Sequence, residues 1–235
     1  MGKLLKIWGL DLKRKINPGG KPTLIQKILK TLAGRANLLI RINVNRPLQA
    51  ISGDITEIRF ADGHGKAYLS VHKDVFGQVV YGWKLGLTME TTLVKRSFNM
   101  AVKRIKRLTQ PIQRRHPEKL KQLLKNILYH QDRGSQYTSY QYVEMALTHG
   151  RLSYSDPGTP THNPGQESFF GRFKGEWGDE MLEIKTFEEL ERFVKHKINY
   201  YNYSRRHTSI GLISPSKFTK TFVKKQSKRY SKFST

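Results

Sequence analysis

The sequence predicts an α/β domain, a mixed five-stranded sheet with helices packed on it. Three observations carry this. Residues 50–86 hold three strand-like runs separated by turn signals, which read as an antiparallel meander. Two further short runs, KNILYHQ (125–131) and RLSYS (151–155), flank a helical stretch, the order of a sheet extended by crossover connections. After residue 165 the chain is helical in pattern, so helices must cover the sheet.

The elements follow in order. TLIQKILKTL (23–32) has Leu24, Ile25, Ile28, Leu29 and Leu32 at helical spacing behind the loop signal NPGGKP, with Thr23 placed as an N-cap. NVNRPLQ reads as a linker. AISGDITEIRF (50–60) is the first strand, ADGHGK (61–66) a hairpin turn, and AYLSVHKDV and QVVYGWKLG the second and third strands. METTLVKRSFNMAVKRIKRL (89–108) is a basic amphipathic helix. SYQYVEMALTHG (139–150) is a helix with Gly150 expected at C′. DPGTPTHNPG (156–165) is a loop with three prolines, and QESFFGRFKGEW (166–177) opens the next helix. TFEELERFVKHKINYYNYSRR follows with Thr186 and Glu189 at capping-box spacing, and Ser214-Pro215 starts a last helix.

Composition points to the partner. Lys and Arg number 43 against 18 acids, a formal net charge of +25. So lopsided a balance exceeds what solubility requires and favours a polyanion. Both ends are extreme: residues 1–49 contain one acid, Asp11, and residues 214–235 contain none beside seven Lys or Arg. There is no cysteine, which excludes disulfides, thiolate zinc and cysteine nucleophiles and agrees with a reducing, cytoplasmic compartment. No apolar run approaches the ~20 residues of a membrane span.

Three acids resist an ordinary explanation. Asp62 and Asp74 sit at turns, and Glu188, Glu189 and Glu191 suit the start of a helix. Asp54, however, lies inside the first strand, where aspartate is unfavourable, so it either faces water at an edge or is held for a purpose. Asp132 follows the fourth strand, where a sheet delivers residues to a crevice. Glu167 opens a helix whose one stripe carries Gly171 and Lys174, while Phe169, Phe170, Phe173 and Trp177 should be core. Three carboxylates from two strands and a helix can surround a pair of Mg²⁺ ions, which prefer hard oxygen ligands and serve phosphoryl displacement.

The segments GDITEI, HQDRGSQYTS, GTPTHNPGQESFFGRFK and YYNYSRRHTSIGLISPSKF, with VHKDVFGQVVYGW, resemble the integrase-like core of bacterial insertion-sequence transposases. The resemblance runs in order over residues 46–218 and is greatest to the group encoded in two overlapping frames, as its second-frame product. It implies a ribonuclease-H-like fold and an Asp-Asp-Glu triad falling on Asp54, Asp132 and Glu167, with two Mg²⁺ ions for which Mn²⁺ can substitute. It also implies DNA 3′-end cleavage and strand transfer, with transposon ends and target DNA as partners, self-association, and a separately encoded upstream-frame protein as a further partner. Arg133, Arg172, Lys174, Arg205 and Arg206 are the candidate DNA contacts. The domain reading is a basic N-terminal segment (1–48), the catalytic core (49–218) and a basic tail (219–235).

Some positions depart from the family's pattern. Residues 133–166, 34 in all, separate Asp132 from Glu167, one fewer than is common. His162-Asn163 stands where Asp-Asn is usual, and AIS (50–52) lacks a tryptophan often found before the first aspartate. Only one convincing helix precedes the core, which keeps a non-catalytic DNA-binding remnant as an alternative; a host nuclease is a further one, since fold alone does not fix function.

Overall fold

The computed structural model describes residues 24–32, 36–156 and 164–232. Thr23 and the His162-Asn163 pair lie outside them. The chain builds β1 (Ala50–Phe60), β2 (Gly65–Asp74) and β3 (Val80–Gly86), then β4 (Leu128–Gln131) and β5 (Arg151–Tyr154). The helices are α1 (Leu24–Leu32), α2 (Thr91–Leu108), α3 (Gln110–Arg115), α4 (Pro117–Lys125), α5 (Tyr140–Leu147), α6 (Pro164–Glu183), α7 (Phe187–Tyr203) and α8 (Pro215–Lys232).

The sheet order is β3-β2-β1-β4-β5. The first two pairings are antiparallel hairpins, as the Asp- and Gly-rich turns require, and β4 and β5 add in parallel through helical crossovers. β1 is therefore central, and its alternation serves two cores. Ile51, Tyr81, Phe98, Ile105, Tyr129 and Val223 pack on one face, under α2 to α5 and α8. Ile58, Leu69, Val71, Phe169, Phe173, Trp177 and Val194 pack on the other, under α6 and α7. The aromatic stripe of α6 is buried as its spacing predicts.

Polar side chains fix the outer elements. Asn202 of α7 accepts from the backbone N–H of Val80 (2.9 Å) and donates to its carbonyl (3.0 Å), replacing a strand neighbour at the β3 edge. Thr186 and Glu189 form the capping box. Asp74 is buried at the β2–β3 turn and accepts from the N–H groups of Leu48, Phe76 and Gly77 and from the Tyr81 hydroxyl, so its role is structural.

Three details correct the sequence reading. Helix α5 is capped at Thr148, so Gly150 is not its C′ residue. Gly150 is instead required by close approach, since a Cβ there would stand 2.4 Å from the Ile127 carbonyl oxygen. The residues between 109 and 125 form α3 and α4, where no element was expected; a proline near the start of each marks them. The division at 218/219 falls inside α8, whose Val223 joins the core and whose Ser227 hydroxyl donates to the Pro111 carbonyl (3.1 Å). What read as a tail is continuous, through residue 232, with a packed helix.

Candidate active site

β1 and β4 run side by side only as far as the Ser52–His130 pair. Asp54 lies two residues beyond it on β1, and Asp132 two residues beyond it on the other side, just past the end of β4. The two aspartates thus flank the notch where the central strands part, the crevice at the carboxyl end of a parallel pair. Asp54 is not at a sheet edge: it pairs with Val71 of β2, a residue of the core that α6 covers.

Helix α6 supplies the third acid. Gln166, fully buried, donates from Nε2 to the Ser52 carbonyl (2.7 Å), so the first turn of α6 is pinned to β1 beside Asp54. Glu167 follows on the exposed side of the helix, with Gly171 and Lys174 exposed along the same stripe. The sequence reading missed Gln166, whose signal was its position next to the glutamate and before a buried aromatic pair.

Electrostatics ties the acids together. The Asp54 carboxyl is pushed up to about 7, first by burial and then by the charges of Asp132 and Glu167, against a lowering hydrogen bond from the Ile55 N–H (2.7 Å). Burial also raises Asp132, opposed by the Gly134 N–H, which donates to Oδ1 at 2.9 Å. That N–H orients the carboxylate and is not left to receive phosphate. Gly134 O then accepts from the N–H groups of Tyr137 and Thr138, so the SQYT segment is a compact turn under the acid. Below it Tyr137 and Tyr142 are buried, and Gln131 and His72 both meet the Tyr142 hydroxyl (2.7 and 3.1 Å).

Among the described residues no group of three or more His, Asp or Glu side chains is closed around a point in the manner of a preformed metal site. The donor set nonetheless suits a hard divalent cation. Two desolvated carboxylates of like charge, offering oxygen alone, gain most from a positive charge placed between them.

The candidate DNA contacts fare differently. Arg133 is turned inward: Nε donates to the Ser155 carbonyl (2.8 Å), Nη1 to the Leu29 carbonyl (3.0 Å) and Nη2 to Asp156 (3.2 Å). It ties α1 and β5 to the loop after β4, so its expected role as a DNA contact gives way to a structural one. Arg205 is paired with Glu176. Arg172, Lys174 and Arg206 are exposed.

Residues 44–160 match the family described as Integrase core domain, and residues 149–215 match a second family of the same description. A transposase-like protein of Haemophilus influenzae is 32% identical over 76% of this chain and 74% of its own length. The chain belongs to the integrase-core family of insertion-sequence transposases. The transposase is also 29% identical to that of insertion sequence element IS904 of Lactococcus lactis, over 94% of this chain and 79% of the relative. It is 32% identical to the transposase InsF for insertion sequence IS3A of Escherichia coli, over 73% of this chain and 54% of that one. In fold the transposase is similar to the HTLV-2 integrase catalytic core domain, solved in complex with magnesium (TM-score 0.54, 14% identity, 75% of this chain and 99% of that one). It is likewise similar to the catalytic domain of Mos1 mariner transposase (TM-score 0.51, 14% identity, 88% and 86%). DNA cleavage and strand transfer in the movement of an insertion sequence are the general activity of this family.

Proposed function

We propose that Asp54, Asp132 and Glu167 are the catalytic carboxylates and that together they hold two Mg²⁺ ions, with Mn²⁺ as a substitute. The observation that carries the reading is the juxtaposition of Asp54 and Asp132 at the parting of β1 and β4, within electrostatic reach of a glutamate that Gln166 anchors beside them. Bound there, the cations would supply the positive charge that stabilises the attacking and leaving oxygens of an in-line phosphoryl displacement.

The chain's own residues do the rest. Asp54 and Asp132 present oxygens from rigid strand ends, and the Gly134 N–H fixes the Asp132 carboxylate. Glu167 closes the set by turning inward from an exposed position on an anchored helix. Arg172, Lys174 and Arg206 hold DNA phosphates, while Arg205, braced by Glu176, shapes the surface beside them. In the first step water adds to phosphorus at the element end and the P–O3′ bond breaks, leaving a free 3′-hydroxyl. In the second step that hydroxyl attacks a target phosphodiester, and the strand is joined as the displaced 3′-oxygen leaves. Catalysis is mainly positioning and electrostatic stabilisation. Element ends and target DNA are the substrates, and bridging two ends calls for more than one copy of the chain. The two-frame arrangement belongs to the same proposal, and the flanking DNA tests it through inverted repeats and an overlapping upstream frame.

The test is strand joining with a pre-cleaved element end in Mg²⁺ or Mn²⁺, comparing the wild type with Asp132→Asn. Joined product that disappears in the variant supports the reading. Joining that survives removes Asp132 from the catalytic set, and DNA binding without joining by either protein favours the non-catalytic remnant.

A further inference from the structure

Among the described residues, backbone pairing of β1 with β4 ends at Ser52–His130, and both candidate aspartates lie beyond it. Side chains must therefore set their separation. The residue before each aspartate shows how. Gly53 precedes Asp54 and is paired across the hairpin with His72, and Gln131 precedes Asp132. His72 Nε2 and the Gln131 amide both meet the hydroxyl of Tyr142 on α5, at 3.1 and 2.7 Å. Gly53 leaves room for them: a Cβ there would stand 2.9 Å from His72 Nε2 and 3.4 Å from Gln131 Cγ. One hydroxyl thus ties β4 to the β1–β2 hairpin just behind the notch.

The tie is dry and directed. His72, Gln131 and Tyr142 are each 0% exposed, and the rings of Phe98 and Tyr137 stand edge-on to Tyr142 with centroids at 5.6 and 5.2 Å. Burial brings His72 down to about 3, so its ring is neutral and one nitrogen donates while the other accepts. With its oxygen toward Tyr142 Oη, the Gln131 amide also donates to the carbonyls of Tyr129 (3.2 Å) and Ser153 (3.3 Å). The Tyr142 O–H then donates to Gln131, and the His72 Nε2–H to Tyr142. On its other side His72 Nδ1 faces Ser97 Oγ of α2 at 3.1 Å. A buried network whose members are all satisfied specifies one arrangement of the elements it joins.

We propose that Tyr142 is a positioning residue for the catalytic acids: held between His72 and Gln131, its hydroxyl fixes the distance between Asp54 and Asp132. The assignment rests on the reading of those aspartates as metal ligands and adds what keeps them spaced. Mg²⁺ demands near-ideal ligand placement, so carboxylates on strands that no longer pair need a second brace.

Tyr142→Phe keeps the ring and removes the tie. Tyr81→Phe is its control, an equally buried hydroxyl taken from Asp74 at the β2–β3 turn. The full chain is followed by thermal melting, by Mn²⁺ binding read from loss of the free-ion paramagnetic resonance signal, and by joining of a pre-cleaved end at saturating DNA. Tyr142→Phe is expected to bind Mn²⁺ about tenfold more weakly and to join about tenfold more slowly at unchanged DNA affinity, since a small misplacement of reacting groups costs rate and not binding. Tyr81→Phe should melt earlier and keep both readouts at the wild-type level. His72→Leu should repeat the losses of Tyr142→Phe, and His72→Gln, whose amide nitrogen can stand in for Nε2 as donor, should recover them. This pair decides the matter where Tyr142→Phe does not fold. Folded Tyr142→Phe with wild-type Mn²⁺ binding and joining overturns the positioning role, as do losses that Tyr81→Phe shares. Mn²⁺ binding and joining that survive Asp132→Asn overturn the reading of the acids, and the positioning role with it.

Discussion

Asp54 carries the largest consequence of any single side chain. Its carboxyl titrates near an ordinary 3.8 when unfolded and about 7 when folded, so the folded state binds its proton more tightly. Stability from this group is complete below pH ~4, falls as pH rises from there to ~7, and is constant above. The difference amounts to about 4 kcal/mol at most. Asp54→Asn cannot ionise and escapes this loss. Thermal melts without divalent cation should therefore show the variant more stable than the wild type at pH 8 and equal to it at pH 4. Equal melting at both pH values would show that Asp54 is not strained by burial. Adding Mg²⁺ at pH 8 should raise the wild-type melting temperature by mass action and leave Asp54→Asn unmoved; a rise in both would place the cation elsewhere. Asp54 and Asp132 were legible because aspartate is out of place in and just after a strand. The inward turn of Arg133 was not, because its partners Leu29 and Ser155 are remote in sequence and a surface cation and a buried tie look identical as a letter.

At the scale of elements, the site depends on how closely helices approach the sheet. Gly82 of β3 lies under α2, and a Cβ there would stand 2.0 Å from the Ser97 carbonyl oxygen and 2.6 Å from the Ala101 nitrogen. Backbone cannot yield as a side chain can, so Gly82→Ala should lift α2 from the sheet and cost about 3 kcal/mol or more, measured by urea unfolding. A cost below about 1 kcal/mol would mean that α2 slides freely. The capping box offers a smaller, independent change: Thr186→Ala should cost about 1 kcal/mol and leave DNA joining intact, since Thr186 lies at the far end of the α6–α7 hairpin from the site. The strands, α2 and the capping box could be read from periodicity and turn chemistry, which are local. α3 and α4 could not, because the short run between Gln110 and Lys125 is dominated by polar and basic residues, and only Ile112 and Leu120 are fully buried, with Leu123 and Leu124 packed partly against the core. The Gly150 reading failed for the same reason: glycine marks a helix end and a close approach equally well, and Ile127, the residue approached, belongs to another segment.

Over the whole molecule, the sheet separates two cores, and the acids sit where its central strands diverge, while cations occupy much of the remaining surface. α8 alone contributes Lys217, Lys220, Lys224, Lys225, Lys228 and Arg229, and α2 and α3 bring Arg104, Arg107 and Arg114 to a groove beside it. Charge of one sign over several elements cannot be balanced by the few acids present, so a DNA duplex would displace counterions along an extended track and not at one pocket. If about 6 phosphates are neutralised, the logarithm of affinity falls with slope near −5 against the logarithm of salt, roughly a thousandfold between about 50 and about 200 mM. Lys220→Glu together with Lys224→Glu should make that slope shallower on any sequence, because phosphate contacts carry no sequence information. Arg172→Gln, which removes a single exposed cation, should change the slope by no more than about one. Titrations of one duplex over a salt series separate the two. A slope that the α8 double variant leaves unchanged would confine DNA to the face that bears the carboxylates and make the basic helix a structural element alone.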